Sequence, residues 1–174
     1  MQLRLSVECF AIGMLAAQGD FKTHKAFTKY YSPVEIFKAL EIAYPHFFPK
    51  PSIPRKMADD IWHFDDVGHG NCITRTELEK LWQQSGDYLH RTSLKKYIKN
   101  SPAANYKPIY EATERFWNLV RSHQIFLSDH TSYLQIEIGR DDDAMRCFYI
   151  HLDQKNGTAR IERYNIELIN PRGP

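Results

Sequence analysis

Seven residues near the middle of the chain, His90, Arg91, Thr92, Ser93, Lys95, Lys96 and Lys99, have the types needed to grip a polyanion. A helix predicted over 90–99 carries the four cations, and cations held along a helix neutralise phosphates. Short hydroxyl and imidazole groups near the start of such a helix can reach the edges of bases. The other reactive types give less direction. Cys9, Cys72 and Cys147 with His24, His46, His123, His130 and His151 show no spacing that marks a nucleophile and its base. The chain has no P-loop, no GxGxxG run and no GxSxG elbow. No catalytic residue and no cofactor is expected.

Metal-ligand types gather at His63, Asp65, Asp66, His69 and Cys72. Zinc needs about four such ligands converging, and this spacing matches no strong metal pattern. The stretch also resembles an EF-hand, because Asp66 and Glu77 have the first-to-last spacing of a calcium loop. Gly68 and Gly70 fall at its third and fifth positions, however, and Asn71 falls where the glycine belongs. A metal-free loop is the expectation. Asp141, Asp142 and Asp143 read as a polar hairpin loop.

The elements that must position the basic residues follow from periodicity and capping. Leu3, Val7, Phe10, Met14 and Leu15 lie on one stripe of a helix, which Gly19 and Asp20 end. Ser32, Pro33 and Glu35 open a second helix with Ile36, Leu40 and Ala43 on one face. Pro45, Pro49, Pro51 and Pro54 make a stiff connector. Met57, Ile61 and Phe64 predict a short helix over 55–64. Thr74 and Glu77 form a second capping box, opening a helix that Gly86 ends. Helix, glycine-containing turn and basic helix together make a helix-turn-helix-like segment over 73–100. With 55–64 as its support helix and Cys72-Ile73 as a short strand, the segment resembles the winged-helix variety of DNA-binding domain. That resemblance covers about a quarter of the chain, and its turn, 86–89, is longer than the tight form. It implies DNA contact through the seven residues named above.

Pro108 begins a longer helix with Ile109, Ala112, Phe116, Leu119 and Val120. After Gln124 the period becomes alternating. Leu134, Ile136 and Ile138 share a face, as do Phe148, Ile150 and Leu152. Asn156-Gly157 predicts a type I′ hairpin turn. Outward positions Tyr149, His151, Arg160, Glu162 and Tyr164 offer a surface for another protein chain or for a homodimer.

The fold class expected is α+β: five to six helices with the helix-turn-helix-like hairpin, then an antiparallel β-meander. The regions are 1–53, 54–124 and 125–174, in one compact unit. With 43% hydrophobic residues, 174 residues bury a core without staples. A net charge of only +2 confines any basic surface to a local patch. Three scattered cysteines fit a reducing, cytoplasmic setting rather than a disulfide framework. The longest apolar run, 9–17, is short of the ~20 residues a membrane span needs, so no membrane contact is expected. Two functional readings follow, with an enzyme ranked below both. One is a DNA-binding microbial regulator. The other is a non-catalytic protein-interaction module such as an immunity protein, inhibitor or adaptor.

Overall fold

Two helices start by the same device. The Ser32 hydroxyl accepts from the Glu35 backbone N–H at 3.3 Å and donates to the Glu35 carboxylate at 2.9 Å. Thr74 repeats this with Glu77, and there the carboxylate also takes the Thr74 backbone N–H at 2.9 Å. Each box satisfies donors that a helix start would otherwise leave orphaned. The computed structural model describes residues 2–19, 32–57, 62–68, 70–89, 106–138, 145–153 and 155–166. Among them are four helices: α1 (Gln2–Ala17), α2 (Pro33–Ala43), α3 (Arg75–Leu89) and α4 (Lys107–Arg121). Six strands accompany them: β1 (Lys50–Lys56), β2 (Trp62–Asp66), β3 (Ser122–Phe126), β4 (Ser132–Glu137), β5 (Met145–Asp153) and β6 (Thr158–Ile166). They form one antiparallel sheet in the order β2-β1-β3-β4-β5-β6.

The expected layout of helices first and meander last holds only in outline. Five to six helices become four among the described residues, and the sheet gains three strands, β1, β2 and β3. The predicted helix over 55–64 is replaced by the β1–β2 hairpin, with Pro54 opposite Phe64 and Lys56 opposite Trp62. The spacing of Met57, Ile61 and Phe64 mimics a helical stripe, but the prolines beside it favour extended backbone. β3 pairs only with Lys50 and Pro51, so Pro54 can turn its donorless nitrogen toward a side with no strand. The winged-helix resemblance thereby loses its support helix. Cys72 and Ile73 form no strand; the Ile73 backbone N–H donates instead to the Arg115 carbonyl at 3.1 Å.

Gly86 does not end α3, which continues to Leu89. A Cβ there would sit 2.8 Å from Arg4 Nη1. The atom met is the far end of the Arg4 side chain, which passes over the helix at this position. Arg4 lies over the Trp82 ring at 4.6 Å, and Trp82 donates its indole N–H to Glu8 at 2.9 Å, which ties α1 to α3.

The core is built from rings. Val7, Phe10, Ala11 and Met14 of α1 meet Ile36, Phe37 and Leu40 of α2, and Phe116 and Leu119 of α4. Phe10 packs edge-on to Phe116 at 5.3 Å and to Phe48 at 6.5 Å; Phe37 lies against Phe47 at 5.9 Å. The sheet face that meets this core carries His123, Ile125, Leu134 and Ile136, since opposite residues in a ladder share a face. Phe148, Ile150 and Leu152 lie on the other face, because Ile150 is paired with Tyr133 and not with Leu134. The alternation along each strand is legible, yet the register that decides which alternates agree is set by the hairpins.

Candidate interaction edge

β6 borders the sheet, and no described strand pairs with its outer side. It is nine residues long. No helix of the described residues makes an extensive contact with β5 or β6. Ile161 is 62% exposed and Tyr164 50% exposed. β6 contains neither proline nor lysine, the residues that most often blunt a sheet edge. The opposite border differs. β2 has five residues, and its Asp65 and Asp66 are tied to Arg55 and Lys50. A short, charged edge resists pairing; a long one with exposed apolar residues invites it.

A hairpin turn joins β5 to β6. Asp153 pairs with Thr158, so four residues make the loop, and Gly157 alone of those described in it has a positive φ, of 65°. The expected type I′ turn, which needs two such residues, is not formed. Asp153 organises the loop by accepting from the backbone N–H of Lys155 at 3.0 Å and from the Asn156 side-chain amide at 2.7 Å. These bonds hold its carboxyl below the usual range. On β6 itself, Arg160 Nη2 meets Glu162 at 2.7 Å, and the Tyr164 hydroxyl donates to Glu162 at 2.7 Å. That bond to a carboxylate raises the Tyr164 pKa. Arg163 lies over the Phe148 ring at 5.9 Å on the opposite face.

No known family, curated protein or solved structure matches the chain.

His90, Arg91, Thr92, Ser93, Lys95, Lys96 and Lys99 all lie outside the described residues, as do His69 and Asp141, Asp142 and Asp143. The calcium-like frame is occupied otherwise. Both oxygens of Glu77 accept from the Arg115 guanidinium, at 2.8 and 2.9 Å, and Arg115 also donates to the Cys72 carbonyl. That pairing leads the causes holding Glu77 down to about 2. His63 shares Asp65 with Arg55 on the exposed hairpin. Among the described residues, no three His, Cys, Asp or Glu side chains gather as metal ligands do.

One cluster brings serine, histidine and aspartate together. Ser132 Oγ lies 2.5 Å from Asp129 Oδ2, 2.8 Å from His151 Nδ1 and 3.0 Å from the Tyr149 hydroxyl. A nucleophilic triad places the carboxylate behind the histidine; here it receives the serine proton directly. Ser132 is only 1% exposed. Asp129 also accepts the backbone N–H groups of Thr131 and Ser132, which marks it as the organiser of the β3–β4 turn. Burial opposes ionisation of Asp129, but these bonds outweigh it and lower its pKa.

Arg160, Glu162 and Tyr164 stand out in the sequence as outward positions, but the place of β6 at the border of the sheet does not. The absence of proline and lysine from 158–166 was the available signal.

Proposed function

We propose that the chain is a non-catalytic protein-interaction module whose docking element is the β6 edge, and that the partner strand is the β6 of a second copy. The observation supporting this reading is the length and exposure of an edge that contains neither proline nor lysine. Charge selects the occupant. Two antiparallel copies related by a two-fold axis through the sheet must centre on one residue, because the axis preserves faces. Centring on Ile161 sets it against its own copy and sets Arg160 against Glu162 twice. Centring on Arg160, Glu162 or Arg163 sets like charges face to face. Free cysteines at 9, 72 and 147 fit a reducing, cytoplasmic setting for such a module. No helix among the described residues is long and apolar enough to cross a membrane.

The test uses charge. Arg160→Glu places carboxylates opposite Glu162 at both crossings, and Glu162→Arg places guanidiniums opposite Arg160. Each single variant is expected to weaken self-association by about 2 kcal/mol, roughly 30-fold. An equimolar mixture of the two restores unlike pairs at both crossings and is expected to form heterodimers, read by native mass spectrometry. Self-association unchanged in both single variants would exclude this register.

A second reading, a DNA-binding microbial regulator, rests on four cations, Arg91, Lys95, Lys96 and Lys99, within nine residues of sequence. Under it, Lys95→Ala with Lys99→Ala lowers DNA affinity and reduces the salt slope by about 2. Fluorescence anisotropy with duplex DNA at low salt checks this, and no affinity in the wild type ends the reading.

A further inference from the structure

A cleft of about 570 Å³ opens where the end of α4 meets β3, the end of β4, the start of β5 and the β1–β2 hairpin. Three charged side chains line it: Arg121, Glu137 and Arg146. Glu137 and Arg146 are cross-strand partners, and Arg146 and Arg163 both act on the Glu137 carboxylate. Burial outweighs them and raises the Glu137 pKa. Arg121 has no comparable partner among the described residues. Among the described residues its guanidinium makes neither a hydrogen bond nor an ion pair, although it is half-buried at the last turn of α4. Beside it, Ser122 accepts from Gln135 Nε2 at 3.1 Å and keeps its own hydroxyl proton to donate. Asn118 is engaged with the Asn71 carbonyl at 2.9 Å. The remaining walls include Ile53, Pro54, Val67 and Ile138.

We infer that this cleft binds a small organic acid, its carboxylate on Arg121 and Ser122 and its apolar body against Ile53, Pro54, Val67 and Ile138. A planar guanidinium matches a carboxylate bidentately, and a partly desolvated cation gains most from such a partner. The volume lies within the range of small-molecule sites, which combine apolar walls with a few placed polar groups. The inference is independent of the β6 edge, since none of these lining residues belongs to β6.

The experiment compares benzoate with benzyl alcohol, which share an apolar body and differ in charge. Each is titrated into the full chain and followed by backbone amide shifts in NMR spectra. Benzoate is expected to shift Arg121, Ser122 and Ile138 saturably and to bind at least tenfold more tightly than benzyl alcohol. Arg121→Met keeps the aliphatic stem and is expected to abolish that preference. Equal binding of the two probes, shifts centred elsewhere, or a preference that survives in Arg121→Met overturns the inference. If Arg121→Met does not fold, the wild-type comparison decides by itself.

Discussion

Ile161→Lys is expected to turn a self-associating protein into a monomer. The side chain stands at the centre of the proposed two-fold register, so one substitution acts twice. It removes both isoleucines of one apolar contact, each worth about 1–2 kcal/mol when an exposed isoleucine is buried. It also sets two ammonium groups face to face, and like charges directly opposite destabilise a strand pair. The combined loss is about 3 kcal/mol or more, which weakens association roughly 100-fold or more. Because Ile161 is exposed in the single chain, the thermal midpoint of the isolated fold should change little. Sedimentation velocity over a concentration series, with circular dichroism for the fold, checks both halves. A variant that remains as associated as the wild type would place the contact elsewhere.

Acidification is expected to cost the fold roughly 3 kcal/mol through one buried histidine. His123 is 3% exposed, edge-on to the Phe10 ring at 6.2 Å, with Nδ1 3.1 Å from the Val120 carbonyl. Burial lowers its pKa from the usual 6.5 to about 4, against the opposing pull of the backbone carbonyls. Between those values the unfolded chain binds a proton that the folded chain refuses, so stability rises with pH. The contribution is full above about pH 6.5, is lost progressively as pH falls, and is exhausted below about 4. A gap of about 2.5 units corresponds to the roughly 3 kcal/mol stated above. Denaturant unfolding at pH 7, 5.5 and 4 should show this decline, and His123→Leu should remove the share belonging to this window. The His123 imidazole titrating near 6.5 in NMR would contradict the account.

Local chemistry was legible in the sequence, and pairing was not. The capping boxes at Ser32 and Thr74 could be read directly because all their partners lie within four residues. The buried stripe of α1 was equally plain from the spacing of Val7, Phe10 and Met14. The β1–β2 hairpin was missed because Met57, Ile61 and Phe64 satisfy a helical period, while the strand depends on a neighbour more than sixty residues away. Gly86 read as a stop, since nothing local reveals that Arg4 passes over it. The Ser132 cluster draws Tyr149 and His151 from β5 to the start of β4, a meeting that only register creates. The candidate edge falls between these cases. Its residues were visible, but its place at the border of the sheet depends on the order of all six strands.

The most direct measurement is the molar mass of the full chain by light scattering at micromolar to tens of micromolar concentration. Pairing through β6 predicts a mass that rises with concentration toward twice the 20.5 kDa of one chain. A constant mass of one chain across that range would contradict it.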